Sequence, residues 1–404
     1  MLEILDEIKV LKDPLYGYVK IEYQIIWDLI DCKELQRLKR IKQLGGSFQV
    51  YHTAEHSRFS HSIGVYEIVR QMLEKVIDLK EILTKREKVV VLIAALLHDL
   101  GHNPYSHAFE TICDCNHEVY TRNIILNDSD INKVLNKYDL TLANEVASVI
   151  NHTHKNPILI QLVSSELDAD RMDYLLRDSY MTGTKYGVFD FDRIIRVLRV
   201  KDNKLVIKYS GINAVEDYVM SRYHMYHQVY FHPTGRSFEV CLKALFKRIR
   251  FLYQNNKLNI DIFDAYLKDP VVSNIDHYYF DENVIGYGLL KLSKDADPII
   301  NDLANRLLNR DLFKYCDYSD EKYLEIKKNL IENNIDPEYY LLTDEMSQRP
   351  YLPYRKNEKK GIFVLMKDGS ILELSKASVI VKALVKAEEQ ASKNIFYPLN
   401  FQSK

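Results

Sequence analysis

Apolar positions along most of this chain recur at the i, i+3, i+4 spacing of helices packed on a core. The first 20 residues differ. They read as an extended segment around Lys9–Leu11, a turn at Asp13-Pro14 and a second extended segment over Tyr18–Ile21. Helical spacing begins at Ile25, Ile26, Leu29 and Ile30 and continues through Leu35, Leu38 and Ile41, until Gly45-Gly46 stops it. Further helices are predicted over 61–77, 86–100, 117–127, 142–151 and 160–179, and almost throughout 214–254. Beyond about residue 258 the signal weakens, although helical pieces continue to about 333. Residues 361–374 (GIFVLMKDGSILEL) then read as two strands joined by a Lys-Asp-Gly turn, followed by a last helix over 376–391. The pattern predicts a mainly α protein in three parts. These are a helical region over 1–257, a helical extension over 258–345 and a small α+β region over 346–404.

Composition supports that layout. Only 13 Gly and 10 Pro occur in 404 residues, which argues against a turn-rich all-β fold. The charges, 55 Lys+Arg against 57 Asp+Glu, leave a formal net charge of −2, which disfavours a strongly basic nucleic-acid-binding domain. The longest apolar run, Val89 to Leu97, is too short to span a bilayer. The acidic start MLEILDEIKV lacks the features of a signal peptide, and five scattered Cys fit a reducing cytoplasm better than a disulfide framework.

Candidate chemistry is concentrated. Seven of the 13 His fall between His52 and His117. His98-Asp99 ends the apolar helix VVVLIAALL, where an ionisable pair is costly to bury without a partner. A divalent metal is one such partner, because it takes neutral imidazole and carboxylate together. A His-Asp pair alone reads as a helix end with a solvated carboxylate. The ordered set His61, His98-Asp99 and Asp170, each inside its own long motif, changes that reading.

These motifs carry a resemblance. The segments 36–51 (QRLKRIKQLGGSFQVY), 56–65 (HSRFSHSIGV), 96–110 (LLHDLGHNPYSHAFE), 164–183 (SSELDADRMDYLLRDSYMTG) and 225–239 (MYHQVYFHPTGRSFE) stand in the order seen in HD-domain metal-dependent phosphohydrolases. More specifically, they are similar to the deoxynucleoside triphosphate triphosphohydrolases. The resemblance covers about residues 9 to 240 and implies an HD helical core over 1–257.

The resemblance implies His61, His98, Asp99 and Asp170 as ligands of one divalent metal (Mn, Fe, Zn, Ni, Co or Mg), with Mg accompanying the nucleotide. It implies His102 and His107 facing the α-phosphate, His107 and His117 as proton-transfer candidates, and Glu110 orienting a His. A human member has Asp where Glu110 stands and Lys where Arg171 stands. Arg58, Arg171, Tyr174 and Arg222 match phosphate and sugar contacts, for a triphosphate of charge about −4. Gln43 and Asp178 match positions that hold the 3′-hydroxyl, and Leu44 and Tyr230 match groups packed near C2′, implying deoxyribose over ribose. Tyr226 replaces a His. Lys9, Val10, Asp31 and Gln36 match a regulatory nucleotide site. Lys12 and Lys39 differ from it, and Lys39 cannot reproduce bidentate Arg recognition of a guanine edge.

The resemblance also implies a dimer or tetramer, with assembly the expectation for 258–404. Plainer readings stand beside these. Arg171 and Arg177 can pair with nearby acids, and His117 can be a surface residue at a helix start. Cys113 and Cys115 with His117 lack an evident fourth zinc ligand, His152 and His154 read as a surface loop, and Arg355–Lys360 as a solvated stretch, although relatives can bind single-stranded nucleic acid. The rival functions are an HD phosphohydrolase of mono-, cyclic or alarmone nucleotides, and a regulator whose HD site is idle.

Overall fold

The structure, a computed structural model, describes residues 3–113, 116–258, 260–269, 272–346, 361–386 and 392–399, without the side chains of 107, 111, 113, 346 and 392. It is mainly α, with small sheets. The N-terminal strands Ile4–Asp13 and Gly17–Tyr23 form an antiparallel hairpin whose turn carries Gly17 at φ 75°. The Gln24–Ile30 helix follows and buries Ile25, Ile26, Leu29 and Ile30, the positions picked out by spacing.

Two helices form the centre of the HD region. Arg58–Lys75 starts at Ser57, whose side chain accepts from the Ser60 amide. Lys85–Leu97 starts with a capping box, in which Thr84 and Glu87 satisfy each other's backbone amides, and it buries Val89 through Leu97 without interruption. A helix apolar on every side belongs inside a core, not on an amphipathic surface. Among the described residues no helix is long and apolar enough to cross a membrane.

The helix expected over 160–179 is two helices, Pro157–Val163 and Ala169–Thr182. The break has a local cause. Asp168 turns extended and its carboxylate accepts from the Arg171 amide at 2.7 Å, so a new helix starts there and Asp170 lies in its first turn. The helical stretch expected over 214–254 also breaks. Ile212–Met225 passes into one π-helical turn, Tyr226–Tyr230, and the chain restarts as Pro233–Gln254 with the proline in its first turn.

A second hairpin, Leu198–Lys201 with Lys204–Lys208, escaped the sequence reading, because four or five residues show too little alternation against helical flanks. The strands Phe363–Leu365 and Ile371–Glu373 pair antiparallel as expected. The first of them also pairs in parallel with Lys204–Lys208, giving one four-stranded sheet. The last helix is interrupted, Leu374–Ala377 then Val379–Lys386, and residues 387–391 of the expectation lie outside the described residues.

Two apolar clusters organise the molecule. One runs from Val19 to Val229 and takes in Ile362, Val364, Leu374 and Val381. The other gathers Phe238 through Leu341 with Ile395 and Phe396. Tyr105, Ala108, Phe109 and Tyr120 belong to this second cluster, although they lie between ligand candidates of the HD region in sequence.

Candidate metal and phosphate site

The Arg58–Lys75 helix delivers His61, fully buried. The end of Lys85–Leu97 delivers His98 and Asp99, and the first turn of Ala169–Thr182 delivers Asp170. His61 Nε2 lies 3.1 Å from Asp170 Oδ1 and 3.7 Å from Asp99 Oδ2. His98 Nε2 lies 3.3 Å from Asp99 Oδ1 and 3.7 Å from Asp170 Oδ1. Single donor atoms of His61, His98 and Asp99 all fall within 4.8 Å of one another. The other ring nitrogen of each His is engaged. His98 Nδ1 is 2.9 Å from the Ala95 carbonyl, and His61 Nδ1 is 2.8 Å from Asp173 Oδ2. These partners fix the ring orientations so that both Nε2 atoms face the carboxylates.

This donor set fits a divalent metal on an independent observation: His98 Nε2 is buried and has no hydrogen-bond partner among the described residues. A buried polar atom left unmet calls for an explanation, and a metal ion supplies one. The electrostatics agree. Burial opposes ionisation of Asp99, yet His98, His102 and Arg58 hold its carboxyl well below the usual carboxylate range. Burial likewise opposes the Asp170 carboxylate, and the hydrogen bond with His61 and the nearby His98 ring overcome it, so both acids are ionised at neutral pH.

Around this cluster stand the phosphate-side candidates. Arg58 pairs with Asp99 through one guanidinium nitrogen and donates to Ser106 Oγ at 3.0 and 2.8 Å through the others. His102 and His117 stack with ring centroids 3.9 Å apart, and His117 Nδ1 pairs with Glu110 Oε1. Gly101 permits this approach. A Cβ there would lie 2.1 Å from the His117 carbonyl oxygen, so the turn after Asp99 can press onto the His117–Leu126 helix only without a side chain. Asp99, His102 and His117 donor atoms also lie within 4.8 Å of one another. Burial lowers the His102 pKa and the charges of Arg58 and His117 lower it further, which keeps it neutral. The His107 side chain, residues 114–115 and Arg355–Lys360 lie outside the described residues.

The remaining candidates divide. Tyr174 and Tyr226 meet at their hydroxyls, 3.5 Å apart, and Tyr230 meets Tyr174 edge to face at 6.1 Å. Asp178 is committed to protein partners, His56 Nε2 at 2.7 Å and the Tyr230 hydroxyl at 2.8 Å. Gln43 Oε1 is buried with no partner among the described residues, and Leu44 is buried beside it in sequence. Arg171 and Arg222 are paired with acids: Arg171 Nη1 with Asp168 at 2.6 Å, Arg222 Nη1 with Glu166 at 2.7 Å. Arg177 is wholly buried between Asp173 and Asp13. Lys9 and Val10 are exposed on the N-terminal hairpin and Asp31 is exposed after the first helix. Gln36 donates to the Ile30 carbonyl at 2.6 Å, and the Lys39 ammonium sits 4.6 Å from the Phe59 ring centroid.

Sequence reasoning missed Asp173, His56 and Glu166. Asp173 stands three residues after Asp170 and four before Arg177, the spacing of a same-face ion pair, which was the available signal. His56 and Glu166 gave none, because their partners are 122 and 56 residues away.

A helical scaffold that gathers two imidazoles and two carboxylates, with a histidine stack and Arg58 beside them, is one that could hold a divalent metal. The HD domain pattern matches residues 58–178 and the HD-associated region matches 189–264. The chain is 43% identical to the uncharacterized protein YwfO of Bacillus subtilis, over 98% of this chain and 93% of that one. It is 29% identical to a deoxynucleoside triphosphate triphosphohydrolase SAMHD1 homolog of Dictyostelium discoideum, over 75% of this chain and 66% of that one. A solved phosphohydrolase of Bacteroides thetaiotaomicron matches with a TM-score of 0.85 at 28% identity, covering 97% of this chain and 100% of that one. The chain belongs to the HD-domain phosphohydrolase family, which includes the SAMHD1-like deoxynucleoside triphosphate triphosphohydrolases.

Proposed function

We propose that this protein is a metal-dependent dNTP triphosphohydrolase that cleaves at the α-phosphate, giving a deoxynucleoside and inorganic triphosphate. The observation that carries the reading is the convergence of His61, His98, Asp99 and Asp170 with the His98 Nε2 atom unmet. Relatives named as deoxynucleoside triphosphate triphosphohydrolases support the substrate class. A divalent ion held by these four side chains would polarise a phosphate oxygen and acidify a water. Arg58, braced by Ser106, sets a guanidinium beside the ligands where phosphate charge needs an opposite. His102, neutral and stacked on His117, offers a polar ring to the α-phosphate, and Glu110 fixes His117 for proton transfer. His107 shares that work.

Arg171, Tyr174 and Arg222 contact phosphate and sugar, with Tyr226 beside Tyr174 in the substrate site and Mg accompanying the nucleotide. Gln43 Oε1 accepts from a sugar hydroxyl, with Asp178 on the same side. Leu44 and Tyr230 crowd the 2′ position. Lys9, Val10, Asp31, Gln36 and Lys39 form a regulatory nucleotide surface in a dimer or tetramer of cytoplasmic location.

The test is product analysis after incubation with all four dNTPs together, with Mg²⁺, Mn²⁺ or Co²⁺ supplied separately. The mixture lets one nucleotide activate cleavage of another. Deoxynucleosides plus triphosphate are expected, and monophosphates plus pyrophosphate would overturn the bond assignment. A second reading, a phosphohydrolase of a less charged nucleotide, draws on the carboxylates of Glu166 and Asp168, which already offset Arg222 and Arg171. Turnover of nucleoside monophosphates but not dNTPs would favour it.

A further inference from the structure

The segment Phe280–Glu282, far outside the HD motifs, touches both chain segments that frame the site. Glu282 opens the Glu282–Leu292 helix and is buried. Its Oε2 accepts from the Lys42 amide at 2.8 Å and its Oε1 from the Tyr105 amide at 3.0 Å. Lys42 precedes Gln43 and Leu44. Tyr105 precedes Ser106, the residue that braces Arg58. The two residues before Glu282 act alongside it. The Phe280 carbonyl accepts from Arg37 Nε and Nη2 at 3.2 and 2.7 Å, and Arg37 Nη1 donates to the His102 carbonyl at 2.8 Å. Asp281 pairs with Arg40.

We propose that Glu282 is a positioning residue. With Arg37 it lets the helical extension hold the loop His102–Ser106 and the segment Lys42–Leu44 in the geometry the reaction needs. This deepens the phosphohydrolase reading and gives residues beyond 258 a role within the site.

The loop conformation shows why a tie is needed. Tyr105 and Ser106 are consecutive non-glycine residues at φ 55° and 51°. Such backbone persists only where its surroundings over-determine it, and here Glu282 holds one residue and Arg58 the next. The residue type follows from donor arithmetic. Two amides from different segments need two acceptors on one side chain. An ionised carboxylate offers them, whereas a carboxamide offers one acceptor and one donor. Neither of these amides belongs to the helix that Glu282 opens. Burial of Glu282 works against the ionised form and pushes its carboxyl up to about 7, while the Tyr105 and Lys42 amides and the charges of Lys42 and Arg37 favour that form.

The test is Glu282→Gln, read by amide hydrogen exchange and by kinetics on whichever nucleotide the wild type turns over. Exchange should rise about 10-fold, the size of one lost hydrogen bond, in at least one of the segments 102–106 and 41–44, while the Glu282–Leu292 helix keeps its protection. kcat should fall about 10-fold with the variant still folded. Unchanged exchange in both segments would overturn the proposal. So would parallel loss of protection in the helix itself, which marks a purely structural role. The exchange arm needs no turnover, so its failure is distinct from failure of the dNTP reading. If Glu282→Gln does not fold, Glu282→Asp takes its place. Its shorter carboxylate should deprotect one segment, and wild-type protection in both would overturn the proposal.

Discussion

Two ionic clusters share the Ala169–Thr182 helix, and they are built on opposite plans. Around Asp173 every acceptor is met. The carboxylate takes Arg177 Nε and Nη2 at 2.9 Å each, the Tyr16 hydroxyl at 2.8 Å and His61 Nδ1 at 2.8 Å. Arg177 then reaches Asp13 at 2.9 Å, and all three charged groups are buried. One helical turn earlier, Asp170 faces His61, His98 and Asp99, where His98 Nε2 goes unmet and the Asp170 side chain keeps 32% of its exposure. The closed cluster is architecture. The open one is poised for a ligand, since a buried network left partly unsatisfied is unfavourable unless something completes it. His61 belongs to both, through Nδ1 to the closed cluster and through Nε2 to the open one, so the architecture aims the chemistry.

That contrast can be broken from either side. The largest effect is expected at the open cluster: Asp170→Ala should lower turnover by about 10³-fold or more, with folding intact by circular dichroism. Full activity in this variant would remove Asp170 from the ligand set. Next, Asp173→Asn should weaken metal affinity about 10- to 100-fold, because His61 loses the carboxylate that orients it; titration with Mn²⁺ reads this directly. Affinity equal to wild type would make Asp173 structural alone.

At the closed cluster, Arg177→Leu leaves Asp173 and Asp13 buried together and should cost about 3–5 kcal/mol in urea unfolding. Gly64→Ala probes the same place by sterics, since a Cβ there would lie 1.8 Å from Asp173 Oδ1 and 2.4 Å from Arg177 Nη2. It should also destabilise the protein, by about 1–3 kcal/mol. The smallest effect belongs to the half-exposed Arg86, paired with Asp139 at 2.7 Å and Glu145 at 2.8 Å. Arg86→Ala should cost less than about 1 kcal/mol, which sets the scale for an ion pair left in solvent.

Much of this was legible from the chain. The spacing of Ile25, Ile26, Leu29 and Ile30 marked a buried helix face, and the unbroken apolar run Val89–Leu97 marked a helix inside the core. The motifs around His61, His98-Asp99 and Asp170 named the residues that meet in space. The breaks at 164–168 and 231–232 were not legible, because periodicity continues through them while a capping aspartate and a proline restart the helix. The hairpin Leu198–Lys208 was hidden by its brevity, and the parallel pairing of Lys204–Lys208 with Phe363–Leu365 joins strands that share no local signal.

The division follows from the range of the forces. Helix spacing, caps and the order of motifs act within a few residues of one another, so the sequence by itself determined a mainly α chain and the motifs that carry its candidate ligands. Which charge meets which partner is settled by packing. Arg177 finds Asp13 across 164 residues, His61 finds Asp173 across 112 and Glu282 finds the Lys42 amide across 240. Burial makes an unmet charge or amide expensive, and only the folded core determines which groups are buried together. The tertiary structure therefore decided which acids are closed architecture, which remain open for a ligand, and that the extension holds the loop beside them.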